Sequence, residues 1–146
     1  MKNIIQLILI SFFIFFLFNI THKPALTNIK YVEIAGERIH VELALTKRAH
    51  MLGLSIKENL PEGEGMLFIF PKSGKYSFWM KDMKFPIDII WIDENRHVVF
   101  IQPNAKPESY PATFTPEDDA LYVLEVSAGF SQKNNLKVGD KVEFGY

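Results

Sequence analysis

FWMKDMKFPIDIIWID, from Phe78 to Asp93, is the stretch on which the fold turns. Its second half alternates Asp88, Ile90 and Ile92 with Ile87, Ile89 and Trp91. Apart from Asp88 both sets are apolar, which is the pattern of a strand covered on both faces. Pro86 stands at its start, where a missing N–H donor costs little. The first half ends in Trp79 and Met80 and runs into Lys81 and Asp82, a pair expected in a surface turn. A strand buried on two sides needs neighbours in the sheet and a covering layer on each face, so the surrounding sequence must supply both.

It supplies mostly strands. Residues 29–45, IKYVEIAGERIHVELAL, read as two strands turning at Gly36 and Glu37. Thr46 is placed to cap a short helix, KRAHMLGL, that ends near Gly53. MLFIF (66–70) is an apolar strand bounded by Gly65 and Pro71; PKSGK turns the chain and YSFWM (76–80) continues as a strand. HVVFI (97–101), ALYVLEV (120–126) and VGDKVEFGY (138–146) add three more. Between them, Gln102 to Asp119 carries four prolines and no periodicity, which predicts a long loop. About eight short strands, one or two short helices and no βαβ alternation favour a single, mostly antiparallel β-sandwich or barrel-like domain.

The N-terminus has a different character. After Lys2 the chain is apolar from Ile4 to Phe18, broken only by Gln6 and Ser11. The length lies between a signal-peptide core of about 7–15 residues and a spanning helix of about 20. No small-residue cleavage site follows, so residues 1–24 read as a signal anchor, with a cleaved signal peptide as the alternative, and residues 25–146 as the β-sandwich-like domain. The membrane contact is assigned to residues 4–20, and the domain is expected on the extracytoplasmic side, anchored or secreted. Without Lys2 and Lys23 the 16 basic side chains fall to 14 against 17 acidic ones, a net of -3. No nucleic-acid partner is expected from that balance.

Cysteine is absent, which removes disulfides, thiolate nucleophiles and Cys-ligated metals. His22, His40, His50 and His97 share no ligand spacing, and SGKYS (73–77) lacks the glycine spacing of a phosphate loop. No metal or cofactor is expected. Two acids stand in apolar strands: Asp88, and Glu125 in LYVLEV, on the same face as Leu121 and Val123. A buried carboxylate takes a cation, several hydrogen-bond donors, or a proton. Arg48 is the candidate cation, its planar fork suited to a carboxylate.

RAHMLGLS, GEGMLFIF, FWMKDMKFPIDIIWID and VLEVSAG, in that order, resemble the domain-of-unknown-function family 192 over roughly residues 28–145. The family consists of small prokaryotic proteins, often exported or anchored. The resemblance implies a compact β-sandwich-like domain and no established activity, substrate or cofactor. The matching positions are Arg48, Gly53, Leu54, Gly65, Met66, Leu67, Phe68, Trp79, Met80, Pro86, Asp88, Glu125 and Gly129. Where the family commonly has Lys-Asn, this chain has Lys81 and Asp82.

Function is then expected to be a ligand- or protein-binding accessory module of the cell envelope. Its binding residues would be Arg48, Trp79, Met80, Lys81 and Asp82, with an unknown small ligand or envelope protein as partner. Trp79 offers a broad stacking face. One alternative is a carboxylate-pair hydrolase or lyase acting on an envelope glycan, with Asp88 and Glu125 converging as acid and base. Another is a structural domain presenting residues 102–116 to a partner. No nucleophile motif is present, so binding is favoured over catalysis. Gly53, Gly65 and Gly129 are read as turn or cap residues with positive φ.

Overall fold

The computed structural model describes residues 26–146. The expected anchor, including Ile4 and Phe18, lies outside them. Among the described residues no helix is long and apolar enough to cross a membrane.

Seven strands form one sheet: β1 (Tyr31–Ile34), β2 (Glu37–Ala44), β3 (Glu64–Gly74), β5 (Ile87–Ile92), β6 (Val98–Ala105), β8 (Ala120–Ser127) and β9 (Val142–Gly145). Their order is β6-β5-β8-β3-β2-β1-β9. Two short strands, β4 (Phe78–Trp79) and β7 (Thr113–Phe114), make a separate ribbon. All pairs are antiparallel except β2–β3. The parallel pair needs a crossover, supplied by helix α1 (Lys47–Leu52) and a 3-10 turn, Gly53–Ile56. A second short helix, α2 (Phe130–Lys133), follows β8.

The sheet curls until its two edges meet at one end. His97 bridges Lys141, Val98 N–H donates to Asp140 O at 2.9 Å and Val142 N–H to Arg96 O at 2.8 Å. The result is a half-barrel rather than two stacked sheets, which refines the expected sandwich or barrel. Its concave side holds Val32, Ile34, Leu67, Ile90, Ile92, Leu124, Val142 and Phe144, drawn from both ends of the sheet. Its convex side holds Leu54, Phe68, Met80, Ile87, Ile89, Trp91 and Val123, beneath α1, the 3-10 turn and the β4–β7 ribbon. All six residues of β5 are buried, as its two apolar faces require.

Local differences from the sequence expectation have local causes. The β1–β2 turn falls on Ala35 and Gly36, both at positive φ, as a tight two-residue hairpin demands. Strand β3 continues through Pro71 to Gly74, because a register shift after Ile69 frees the proline from the ladder. Only Phe78 and Trp79 of YSFWM are strand. The expected loop from Gln102 is shorter: β6 carries Pro103 to Ala105, and a 3-10 turn (Pro107–Ser109) and β7 follow. Proline is tolerated there because β6 is an edge strand.

Candidate functional site

A cavity of about 230 Å³ opens on the convex face between α1, β3, β8 and the segment leading into β4. Each element contributes by its own periodicity. Strand β3 turns Phe68 and Phe70 to this face, and β8 turns Glu125 to it, opposite Met66. Helix α1 supplies His50 and Met51; residues 76–79 supply Tyr76, Ser77, Phe78 and Trp79. Thr46 caps α1 through a 3.1 Å bond from Ala49 N–H to its Oγ1. Trp91 Nε1–H donates to Tyr76 O at 2.8 Å and ties the approach to β4 onto the central strand.

Five aromatic rings border the space. Phe70 stacks on Tyr76 at 3.5 Å between centroids, and Phe78 stands edge-on to Phe68 at 4.9 Å. His50 packs against Phe70 and donates from Nε2 to Ala44 O at 2.8 Å; a carbonyl only accepts, so that nitrogen carries the proton. Tyr76 donates its hydroxyl proton to Lys72 O at 2.6 Å.

Glu125 is the one charged-type side chain on the cavity floor, and it is only 4 % exposed. Its Oε2 is buried without a hydrogen-bond partner among the described residues. Burial pushes the carboxyl up to about 8, against the backbone N–H of Leu54, which pulls it down. At neutral pH it is a protonated acid. Gly53 closes over it: with φ +48°, a Cβ there would sit 3.3 Å from Phe68 Cζ and 3.5 Å from Glu125 Oε2. Gly65 serves the same carboxyl's strand differently. It lies within β3 without a positive φ, and a Cβ would meet Glu125 O at 2.7 Å, so glycine is required for close strand approach. That corrects its expected role as a turn residue.

Asp88 belongs elsewhere. In the β5–β8 register it lies opposite Val126, while Ile89 lies opposite Glu125. The two acids therefore point to opposite faces of the sheet, and the expected convergence of Asp88 and Glu125 as a catalytic pair does not occur. Asp88 Oδ1 accepts the N–H groups of Asn104 (2.8 Å) and Gly129 (3.0 Å), and Oδ2 accepts that of Ser131 (2.8 Å). Three donors satisfy the carboxylate and pin β5 to the end of β6 and the turn before α2.

Arg48 is exposed on α1 and pairs with neither acid, which corrects its expected place in a buried ionic network. The helix turns its other side, with His50, toward the sheet. Lys81 and Asp82 are exposed in the turn after β4 and do not border the cavity, and Met80 is buried in the convex core. Of the expected binding residues only Trp79 lines the space, 49 % exposed and edge-on to Tyr110. His50, Gly53, Phe68, Phe70, Tyr76 and Phe78 complete it. The signal for the phenylalanines was present in the sequence, since Met66, Phe68 and Phe70 alternate onto one face.

A second cavity, of about 410 Å³, lies beside the turn before α2. Of its charged lining residues Lys133 and Glu62 pair with each other and Glu64 is exposed, and among the described residues no unpartnered buried group lines it. The smaller cavity has the more specific chemistry.

The sequence model of domain-of-unknown-function family 192, described as uncharacterised ACR, matches residues 30–144. A UPF0127 protein of Thermococcus gammatolerans is 30% identical over 107 residues, covering 72% of this chain and 66% of that relative, just under two thirds of its length. A crystal structure of a protein of unknown function from Novosphingobium aromaticivorans is similar with a TM-score of 0.75 and 31% identity, over 84% of this chain and 89% of that one. Another, from Sinorhizobium meliloti, described as a proposed transcription regulator, is similar with a TM-score of 0.72 and 28% identity, over 78% of this chain and 90% of that one.

Proposed function

The chain belongs to domain-of-unknown-function family 192, and for this member we propose a small-ligand binding module whose site is the cavity above Glu125. The observation that carries it is the unpartnered, buried Oε2 at the floor of an aromatic-walled space. An acid left dry is costly to the fold, and a costly group kept beside a cavity is the mark of a functional site. The cavity lies below the roughly 300–1,000 Å³ of drug-sized sites, so the ligand is small. Glu125 fixes its polar end; Phe70, Tyr76, Phe78 and Trp79 enclose the rest. With Asp88 on the other face there is no second carboxylate to share acid–base work, so binding is preferred to the glycan-cleaving alternative.

The apolar run from Ile4 to Phe18 supports an envelope location, with the domain held outside the membrane by residues 4–20. A protein partner at the cavity mouth is the second reading. Met51, 76 % exposed, stands with Ile56, Trp79 and Tyr110 as exposed apolar side chains, and Tyr110 brings the 102–116 segment beside Trp79. The regulator description of one similar structure is not adopted, because a net of -3 gives no electrostatic hold on nucleic acid.

The test is a fragment screen against the full-length chain, read by methionine methyl NMR and Trp fluorescence. Binders are expected to shift Met51 and perturb Trp79. Hits that leave both unchanged, or an absence of hits, overturn the assignment of this cavity.

A further inference from the structure

The polar groups around the cavity are unbalanced in sign. Among the described residues no lysine or arginine lines it. His50 commits Nε2–H to Ala44 O, Tyr76 commits its hydroxyl proton to Lys72 O, and Ser77 Oγ pairs with Thr115 Oγ1 at 2.7 Å. What stays unpartnered is Glu125 Oε2, a donor while the acid is neutral and an acceptor once it ionises, amid five aromatic rings. Such walls attract positive charge through the ring quadrupole. Among the described residues no group of three or more metal-ligating side chains exists, and one carboxylate is too few oxygens for a calcium- or magnesium-type site.

We propose that the cavity binds a small organic cation, an ammonium group carrying few carbons, with Glu125 as its counter-ion and Trp79 and Tyr76 as its aromatic walls. The proposal rests on the reading of this cavity as the ligand site. Binding then releases one proton: the neutral carboxyl gives its proton to solvent, and the carboxylate formed pairs with the ligand's charge. The groups that face the carboxyl are few. Helix α1 contributes His50, the segment before β4 contributes Tyr76, and β3 and the 3-10 turn contribute none; Lys47, Arg48 and Lys75 are exposed and outside the lining. The titration that binding feels is therefore that of Glu125.

The probes are choline and its uncharged carbon isostere, 3,3-dimethylbutan-1-ol, titrated into the full-length chain with Met51 methyl shifts and Trp fluorescence as readouts. Choline is expected to bind and the alcohol to bind at least about tenfold more weakly. Because only the ionised carboxyl is competent, choline affinity should rise about tenfold between pH 6 and pH 7 and level off above pH 8. Glu125→Gln should keep the fold, being a neutral isostere of the protonated acid, and lose both the preference and the pH dependence. Trp79→Ala, at an exposed position, should weaken choline by about threefold or more. Equal binding of both probes overturns the cation proposal and leaves the ligand-site reading standing. So does affinity that falls with rising pH, the signature of a ligand accepting a hydrogen bond from the neutral acid. No shift with choline or with the mono- to tetramethylammonium ions also overturns it, and the fragment screen then decides the cavity.

Discussion

Asp88 and Glu125 sit on adjacent strands of one sheet, both buried, one residue out of register with each other. On the concave face Asp88 receives three backbone N–H groups and closes a clamp between three segments. On the convex face Glu125 has a bare oxygen, a glycine bent over it and a cavity beside it. The same functional group at the same depth is thus scaffold on one side and a candidate site on the other. Burial alone does not separate the two; the supply of donors does.

The two carboxyls should differ most in how they make stability depend on pH. Glu125 has a folded pKa raised from 4.5 to about 8 by burial. Below pH 4.5 both folded and unfolded chains hold the proton and the pH-dependent cost is zero. Between 4.5 and 8 the unfolded chain gives up its proton while the folded one keeps it, so stability falls as pH rises and levels off above 8. The span is on the order of 5 kcal/mol. Glu125→Gln should remove that slope, so denaturant unfolding at pH 8.5 should show the variant more stable than the parent. A parent whose stability does not decline across this window loses the dry-acid account.

Asp88→Asn is expected to act in the opposite direction. Its amide nitrogen cannot accept from Ser131 or Gly129 N–H, and stability should drop by roughly 3 kcal/mol at neutral pH. A loss under about 1 kcal/mol would mean that the clamp is dispensable. Gly53→Ala comes next, at roughly 1–3 kcal/mol, since φ +48° with ψ -137° is a region for glycine and the new methyl would press on Phe68. Smallest is Arg48→Ala, an exposed side chain without an ion partner among the described residues, where unfolding should change by no more than about 0.5 kcal/mol. A larger loss there would restore a structural role for the guanidinium.

Much of the fold was legible in the sequence, because strand faces are written locally. Alternation alone placed Asp88 with Ile90 and Ile92, and Glu125 with Val123, and the structure agrees; Leu121, expected beside Val123, packs with the opposite cluster. What alternation cannot carry is how one strand's faces map onto the next. That depends on register, and a shift of one residue would have brought the two acids to the same side. The misplacement of Arg48 has a similar origin, since six residues of helix give too little pattern to fix its phase. At Pro71 and Pro103 a bulge and an edge position let the strands run past residues that read as breakers. Trp79 was legible as a candidate, being a large aromatic next to a charged turn, and it lines the cavity. The other walls were hidden among core phenylalanines, because nothing local distinguishes a ring facing a cavity from one facing a neighbour.

The most direct measurement is the titration of Glu125 itself, by carboxyl ¹³C NMR of the full-length chain with glutamate labelled, assigned through Glu125→Gln. One glutamate signal should have a midpoint near 8, apart from every other. A midpoint below about 5, within the ordinary carboxylate range, would mean that the acid already has its partners, and would contradict a site built on a dry carboxyl.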